Sequence, residues 1–528
     1  MNFRNLLISA SLIATAPVFA ATYYVTPEGA GEKTGVDEAN ALSVDGFVTK
    51  AASCENGDTF NFAPGTYLLP KTASFENKGV NLIGSTEGRT IFSGDLNGDG
   101  HASGKTDEEG SVADLACLVF IKAAAGPTTV PAKPASVENI EFTCAYQTSQ
   151  GSGDLAQGAL SICNTWVAAV KNCKFYGNWA DGSYGGSAAY ANRSNVTFTN
   201  CVFSSNNAAH RGGAVRLLND NKDKGTYTFD NCVFNNNRSY GTRGGALCIM
   251  AAKAVNISGC TFVNNKSKSM GSAIFLDVDY LKSVSANAVS IKNTTIAGNT
   301  TVSSNADEEL ADNGQIYVEC RKGDKLTNSL TLENSIVVSS QELTKDIYVG
   351  VNATDITVAD CPFTFTSNGY NVVGSAYKVG ASAEDASPAV DITVEAPASG
   401  FDWKETDHVG ADYTYSYVFG ENKINSDNQL IPAVYIEGQD NKLPGAVNLT
   451  QSELLATGVE EVLTEGEVGG LTVVGANVYQ LAGAACIEVY SISGAQMAVV
   501  AGDTIDLNGL NGGIYILRAG NKSYKVIK

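Results

Sequence analysis

Charged residues are scarce in this sequence, and basic residues are the scarcer kind. Of 528 residues 17% are charged, with 35 Lys and Arg against 55 Asp and Glu, so the formal net charge is −20. A nucleic-acid binder needs a basic surface that neutralises phosphates, and this balance excludes nucleic acid as a general partner. Only three His residues are present and no Cys-x-x-Cys pair occurs, so the ligand spacing of a structural zinc site is missing.

Proline is also scarce, with 12 residues, whereas 54 glycines make up about a tenth of the chain. A hydrophobic content of 44% is enough to build a large core and argues against disorder. Few charges, abundant glycine and short alternating segments together indicate many short strands joined by turns.

The first twenty residues have the organisation of a secretory signal peptide. Arg4 gives a positive start, an apolar run extends from Leu6 to Ala16, and Val18-Phe19-Ala20 offers small residues at the cleavage positions. We therefore expect cleavage before Ala21 and export of the mature chain. Beyond this segment no uninterrupted apolar run reaches about 18 residues, so no transmembrane helix is expected.

A Cys-x-Phe motif recurs at nearly even intervals through the middle of the chain, and each Phe begins a Phe-x-x-Asn run. The cysteines are Cys173, Cys201, Cys232 and Cys260, and the asparagines, with one further copy, are Asn178, Asn206, Asn237, Asn265 and Asn299. A second motif, Gly-Gly-Ala followed by an apolar residue, begins at Gly212 and Gly244 and is echoed at Gly271.

Both motifs describe short strands, because residues two apart fall on one face of a strand. A repeat of roughly 30 residues with several strands and no helical pattern is typical of a parallel β-solenoid, whose coils bury their inner faces against one another. We expect the repeated Asn to stack at one corner in the left-handed conformation of a tight turn. Each side-chain amide would then hydrogen-bond to the equivalent amide of the next coil.

The run Phe-x-x-Asn followed by Gly-Gly-Ala-[Leu/Val/Ile] resembles the repeat of the chlamydial polymorphic outer-membrane proteins. More widely, the pattern is similar to right-handed parallel β-helix proteins of the pectin-lyase fold. The segments 23–27 and 57–67 resemble the start of such helices, and a capping helix is predicted at 45–52 with Phe47, Val48 and Ala51 on one face. The resemblance implies an all-β chain whose right-handed parallel β-helix spans residues 21–380. This fold hosts lyases, hydrolases and adhesins, so it does not imply an activity.

The C-terminal part has a different composition. Residues 381–466 are predicted to form the irregular end of the β-helix and an acidic linker, and 467–528 show alternating strands with Gly turns, as in Leu510–Arg518. This pattern predicts a small β-sandwich and resembles the type IX secretion sorting domain of Bacteroidota. The resemblance implies the type IX secretion machinery as a partner, and release or attachment at the outer face of the outer membrane. An ordinary terminal β-sandwich is the alternative.

Twelve cysteines in an exported chain also allow disulfides. In-register neighbours of a parallel sheet lie about 4.8 Å apart with parallel Cβ vectors, whereas disulfides prefer converging Cβ atoms about 3.8 Å apart. For the repeated cysteines we therefore favour small apolar thiols packed inward beside Phe. The pairing of the others is open.

The second motif yields the candidate ligand site. Period two places Val215, Leu247, Ile274, Ile316 and Ile347 inward, and the following residues face outward: Arg216, Cys248, Phe275, Tyr317 and Tyr348. Asp277 and Glu319 stand two residues beyond this column. Aromatic rings stack on sugars, and carboxylates bind hydroxyls or Ca²⁺, so we predict ligand binding by Phe275, Asp277, Tyr317, Glu319 and Tyr348. The alternatives are a chain segment that covers the aromatics, or a glycosidase acid–base pair at the two acids. His210, Arg211 and Arg243 precede the Gly-Gly turns and are interpreted as charges that solvate a turn corner; a cationic site is the alternative.

A candidate calcium loop lies near the start of the chain. Asp95, Asn97 and Asp99 alternate as oxygen ligands, with Gly100 at the sixth position, as in the first half of a Ca²⁺ loop. Thr106 stands where a bidentate Glu is expected. An Asx-rich turn without metal is the alternative.

Three functions are consistent with the sequence. The first is a non-catalytic, adhesin-like surface protein that binds an extracellular glycan or a host or microbial surface protein. The second is a polysaccharide lyase or glycoside hydrolase, although the catalytic motifs of galacturonases and lyases are missing and no catalytic residue is assigned. The third is a structural spacer.

Overall fold

The structure is a computed structural model. It describes residues 20–104, 112–123, 134–148, 157–165, 167–182, 186–218, 225–241, 243–277, 288–302, 313–320, 328–338, 344–351, 363–373, 376–379, 404, 407–409, 415–418, 433–436, 471–475, 478–481, 486–491, 496–508, 514–519 and 522–527. The predicted signal peptide, apart from Ala20, and the acidic stretch 453–470 lie outside these residues.

Parallel strands from successive coils stack into three long sheets. The first sheet contains Thr22–Val25, Thr59–Phe62, Asn81–Ile83, Ala135–Glu138, Ala168–Lys171, Val196–Thr199, Thr226–Asp230, Ala254–Ser258, Ala288–Lys292, Asn328–Glu333 and Phe363–Ser367. The second contains Gly65–Leu68, Thr90–Ser93, Glu141–Thr143, Lys174–Tyr176, Val202–Ser204, Val233–Asn235, Thr261–Val263, Thr295–Ala297, Ile336–Val338, Val372–Val373 and His408–Val409. The third contains Ala73–Glu76, Val119–Lys122, Leu160–Cys163, Ala189–Asn192, Val215–Leu218, Leu247–Met250, Ile274–Asp277, Asn313–Cys320, Thr344–Val351 and Ala376–Val379.

A fourth, short sheet fills the corner between the second and third sheets, and we call it the corner sheet. Its strands have two residues each: Tyr146–Gln147, Trp179–Ala180, Asn207–Ala208, Arg238–Ser239, Lys266–Ser267 and Thr300–Thr301. The predicted all-β parallel β-helix is therefore confirmed by the strand order itself.

The interior is a column of rings and aliphatic side chains. Phe142, Phe175, Phe203, Phe234 and Phe262 stack with ring centroids 4.8, 5.0, 4.6 and 4.4 Å apart. Each coil thus buries its Phe against the neighbouring Phe, which stabilises the stack without contacts distant along the axis.

The first coil is closed by the predicted capping helix, which spans Val44–Ser53. Ser43 Oγ accepts a hydrogen bond from the Gly46 amide at 3.3 Å, as an N-cap residue does. Phe47, Val48 and Ala51 are buried, and the Phe47 ring packs edge-on against Phe62 at 4.9 Å. A 3₁₀ turn at Glu38–Asn40 precedes the helix.

The repeated asparagines form a buried hydrogen-bonded ladder, as predicted. Each Nδ2 donates to the Oδ1 of the next coil, at 2.9 Å from Asn178 to Asn206 and 3.0 Å from Asn206 to Asn237. The prediction of their backbone conformation is wrong, because the left-handed conformation belongs to the residue before each ladder Asn, such as Asn236 with φ 55° and Gly177 with φ 62°. The residue before each ladder Asn therefore makes the turn, and the side-chain amide of the Asn points into the corner.

The repeated cysteines face the interior and are fully buried. Their thiols donate to backbone carbonyls of the preceding coil, as from Cys201 Sγ to the Val170 oxygen at 3.4 Å. Burial raises the pKa of the Cys173 thiol well above its usual value.

The C-terminal part contains small antiparallel sheets with a core of their own. One sheet has the strands Leu471–Gly475, Val478–Leu481 and Thr504–Asp506, and the other has Cys486–Ser491, Gln496–Ala501, Ile514–Ala519 and Lys522–Ile527. A separate hairpin joins Tyr415–Val418 and Ala433–Ile436. Among the described residues, neither helix has the length and apolarity that a bilayer crossing requires.

Candidate functional site

The structure aligns the predicted outer column in one register on the third sheet. Arg216 pairs with Cys248, Cys248 with Phe275, Phe275 with Tyr317, and Tyr317 with Tyr348. The Phe275 and Tyr317 rings are 5.9 Å apart and the Tyr317 and Tyr348 rings 5.3 Å apart, both stacked. The residue before each member of this column is predicted to point inward, and all five of these residues are fully buried.

The three aromatic side chains of the outer column are not exposed. Phe275 is 0% exposed, and Tyr317 and Tyr348 are 7% exposed. They belong to a second hydrophobic cluster, outside the helix interior, that includes Tyr190 and Met250. Alternation along a strand gives the face of a sheet and not its accessibility, so the expectation of an open aromatic stripe is corrected. Ligand binding at these residues stays a prediction.

Charged side chains are buried beside this cluster. Asp277 and Glu319 pair in register and are 0% exposed. Arg243 Nη2 lies 3.3 Å from Glu319 Oε2, and its guanidinium lies 5.2 Å from the Phe275 ring centroid. Arg216 is fully buried as well, 5.6 Å from the Tyr190 ring. Buried charges require partners of opposite sign, and Arg243 has one in Glu319, so Arg243 does not solvate a corner.

Cys248 lies within this group of charges. Burial raises the pKa of its thiol to about 11, although Arg216, Arg211 and Arg243 oppose the shift. The thiol is therefore protonated at neutral pH and is a poor nucleophile.

The candidate calcium loop brings together a partly different set of ligands from the predicted one. Carboxylate oxygens of Asp95, Asp99 and Asp114 lie within 4.8 Å of one another. Oxygen ligands of Ca²⁺ lie about 2.3–2.6 Å from the ion, so one ion between the three carboxylates fits this spacing. Asn97 Oδ1 accepts from the Asp99 amide at 3.0 Å and its Nδ2 donates to Ser103 Oγ, so hydrogen bonds within the loop use both ends of its side-chain amide.

The pKa values of two of these carboxyls shift in opposite directions. A hydrogen bond from Ser103 holds the pKa of the exposed Asp99 below its usual value. Burial raises the pKa of Asp114, although amides of Ser103 and Leu96 donate to it. Sequence reasoning missed Asp114 because it stands well beyond Asp99 in the chain, in a segment without a motif.

An open cleft of about 580 Å³ lies at the capped end of the helix. Tyr24, Asn61, Glu38 and Glu87 contribute to its lining. None of the predicted site residues lines this cleft.

The corner sheet presents a column of half-buried polar and aromatic side chains that sequence reasoning missed. We call Tyr146, Trp179, Asn207, Arg238 and Lys266 the corner column; they pair in register from coil to coil. All five are partly exposed, while the second residue of each strand is buried. The signal was present in the sequence, because four of the five directly follow a ladder Asn and so must point away from it.

Three contacts fix the aromatic side chains of the corner column and the Tyr240 ring beside it. The Tyr240 ring lies 5.3 Å from the Trp179 ring, and the Arg238 guanidinium lies 4.4 Å from the Tyr240 centroid. Tyr146 donates its hydroxyl to Asp181 Oδ2 at 2.8 Å. Burial and the Asp181 carboxylate raise the pKa of Tyr146 to about 12, so its phenol is a donor at neutral pH.

No protein-family model and no curated protein matches this chain. Solved structures similar to it include a rhamnogalacturonan lyase, at 12% identity and a TM-score of 0.37 over 62% of this chain and 76% of that chain. A glycoside hydrolase matches at 10% identity and a TM-score of 0.40 over 74% and 97%. PfbA, a surface adhesin of Streptococcus pneumoniae, matches at 15% identity and a TM-score of 0.32 over 74% and 82%. These similarities concern the fold alone.

Proposed function

We propose that this chain is an exported β-helix protein that is displayed at the cell surface and binds extracellular glycans or surface proteins without catalysing a reaction. The observation that carries the proposal is the contrast between two columns of side chains. The acids that could act as catalysts, Asp277 and Glu319, are both buried, and Glu319 is held in an ion pair with Arg243. The corner column, in contrast, presents aromatic, amide and cationic side chains at the surface.

This contrast matters because the two activities need different sites. A glycosidase or lyase needs an acid or base within hydrogen-bond reach of its substrate. A binding module needs only accessible rings and hydrogen-bonding groups on a rigid support. The stacked coils supply such a support, since each strand is held by two neighbours.

The predicted site at Phe275, Asp277, Tyr317, Glu319 and Tyr348 is the second candidate location for the ligand. Binding there requires the buried rings to become accessible. A Phe275→Leu/Tyr317→Leu double variant tests it, because Leu conserves apolar packing better than Ala does and removes both stacking surfaces. We expect glycan binding to be unchanged in this variant; its loss would place the ligand at the outer column.

The test of the function itself is glycan-array binding by the mature chain, combined with an assay for products. We expect binding to a restricted set of glycans and no unsaturated or reducing sugar released from an acidic polysaccharide panel. Product release would establish the lyase or hydrolase alternative. An array without any binding, together with no surface protein captured, would leave the spacer function.

Export and surface attachment are part of the same proposal. They are supported by the signal peptide pattern and by the antiparallel C-terminal sheets, whose sequence resembles a type IX sorting domain. Deletion of residues 467–528 should leave the β-helix folded and retain it in the periplasm. Unchanged surface display after this deletion would contradict the sorting function of these residues.

A further inference from the structure

We propose that the corner column, together with Tyr240, binds an extended anionic polysaccharide that lies along the axis of the β-helix. This inference rests on the proposed function and names the ligand class and the surface that takes it. Three features support it: the shape of the column, its aromatic half and its cationic half.

The shape of the column suits a linear polymer. Its five members lie on consecutive coils and pair directly from strand to strand. With neighbouring strands about 4.8 Å apart, the column is about 19 Å long. A straight row of this length can contact several sugar units of one chain, whereas a compact ligand would touch only one or two coils.

The aromatic half lies at the N-terminal end of the column. Trp179 and Tyr146 are neighbours in register, and Tyr240 packs on Trp179. Sugar rings stack their apolar C–H faces on such side chains. Because Tyr240 is held between Trp179 and Arg238, its orientation is fixed before a ligand arrives, and binding costs little side-chain entropy.

The cationic half lies at the other end. Arg238 and Lys266 occupy directly paired positions, and exposed Lys268 follows two residues after Lys266. Two cationic side chains at paired positions repel each other, and an anionic ligand bound at this end of the column reduces that repulsion. A guanidinium can bind a carboxylate or a sulfate through two parallel hydrogen bonds.

These cations stand in a chain with a net charge of −20. At physiological ionic strength the Debye length is about 8 Å, so distant acids are screened while contacts with the column are not. The local cations therefore determine which glycan binds. Binding should weaken as salt rises above the physiological range, because the contacts themselves are then screened.

Two variants of the mature full-length chain test the site. Trp179→Ala removes the central stacking surface, and Arg238→Gln removes the guanidinium while conserving length and polarity. The probes are desulfated chondroitin, which carries only carboxylates, chondroitin sulfate, which carries both anions, and neutral dextran. We expect binding to at least one of the two chondroitins and weaker binding by about tenfold or more in each variant, since charge-assisted contacts exceed neutral ones.

Matched controls lie elsewhere on the surface. Lys253→Gln removes one exposed positive charge away from the column. Tyr370→Asn removes a ring that is 64% exposed, at a backbone position with φ 60° that Asn tolerates. Both should bind as the unmodified chain does. The unfolding midpoint of each variant shows whether it folds, and Lys266→Gln replaces any column variant that does not.

The outcomes separate the site from the function. Equal binding of dextran and the chondroitins, or full binding by Arg238→Gln, overturns the proposal. Glycan binding that survives every column variant means that the function holds and the site is elsewhere. Binding to none of these probes and to no glycan of an array rejects both the site and the glycan-binding function. Preference between the two chondroitins identifies carboxylate or sulfate as the recognised anion.

Discussion

Arg243 and Glu319 form an ion pair across two coils of the β-helix. Their Nη2 and Oε2 atoms are 3.3 Å apart, with the Glu319 side chain fully buried and Arg243 13% exposed. Arg243 stands just before a Gly-Gly corner, and Glu319 lies on the outer face of the third sheet. The pair therefore connects the corner to the sheet in a region of low dielectric. There, either charge is destabilising once the other is removed.

Breaking this pair from one side should be costly. Arg243→Met is expected to lower the free energy of unfolding by about 3–5 kcal/mol, because a buried carboxylate loses its partner. The double variant Arg243→Met/Glu319→Gln should recover part of that loss in urea denaturation. The control is Lys292→Met at the Lys292–Glu333 pair, where the two side chains are 49% and 34% exposed, and its cost should be about 1 kcal/mol or less. Equal costs at the two sites would contradict the assigned role of burial.

The asparagine ladder should be sensitive to substitution at its middle. Asn237 donates to Asn265 and to the Phe203 carbonyl, and accepts from Asn206. Asn237→Ala leaves several buried groups unpaired at about 1–3 kcal/mol each, so we expect a loss of about 3 kcal/mol or more in unfolding free energy.

The adjacent residue is the control for the ladder. Asn236 is exposed and has φ 55°, so Asn236→Gly keeps the backbone conformation and should have a small effect. If Asn237→Ala also changes the unfolding free energy only slightly, the ladder does not stabilise the corner.

Calcium should stabilise the loop that contains Asp95, Asp99 and Asp114. At a hundredfold excess over its dissociation constant, a ligand that binds only the folded state adds about 2.7 kcal/mol, which a thermal shift detects. Asp99→Asn should remove most of the shift. If calcium raises the unfolding temperature equally in the unmodified chain and in Asp99→Asn, or in neither, hydrogen bonds alone hold the carboxylates of this turn.

The pH dependence of this loop follows from Asp114. Burial raises the pKa of Asp114 in the folded chain, so the folded state binds the proton more tightly than the unfolded state does. The resulting contribution to the free energy of unfolding is present at low pH and is lost as the pH rises through the folded pKa. Without calcium, Asp114→Asn should therefore be neutral or stabilising at pH 7. With calcium, the order should reverse, because the substitution removes a charged ligand.

Thiol reactivity should divide the cysteines by burial. Cys486 is exposed and is expected to react with a thiol reagent in the native protein. Cys248 is fully buried, with a pKa raised to about 11, and should react only on unfolding, because the thiolate is the reactive form. Cys486→Ser should lower the number of rapidly reacting thiols by one. If a further rapidly reacting thiol disappears in a Cys248→Ser variant, the outer cluster opens under native conditions.

Much of the fold was predictable because it repeats. The Cys and Phe of one coil pack on those of the next, so the even spacing of the motif along the sequence records a physical contact. The capping helix was predictable for a similar reason, since Phe47, Val48 and Ala51 occupy one helical face. In contrast, the backbone conformation at Asn236 depends on which of two neighbouring residues makes the turn, and composition does not separate them.

The candidate sites were less predictable, because they depend on contacts between residues that are distant in the sequence. Period two gave the face of Phe275 and Tyr317 correctly but not their burial, which depends on residues distant in the chain. Asp114 joins Asp95 through a long connection that no motif marks. The corner column was within reach of sequence reasoning, since Trp179 and Arg238 each follow a ladder Asn.

The ladder of amides has a direction. Each described Nδ2 from Asn178 to Asn265 donates to the next amide toward the C-terminal end, besides a Phe carbonyl of the preceding coil. Asn299 continues to Gln315, and Gln315 donates to Asp346 Oδ1 at 3.1 Å. Amides aligned in this way polarise one another, and the donating ends of this chain of side-chain amides point toward the buried side chain of Asp346. Asp346 is thus the last acceptor of the described ladder. Whole coils that carry Asn can be inserted or lost upstream of it without reversing any dipole, so the length of this helix can change in units of one repeat while its terminus stays the same.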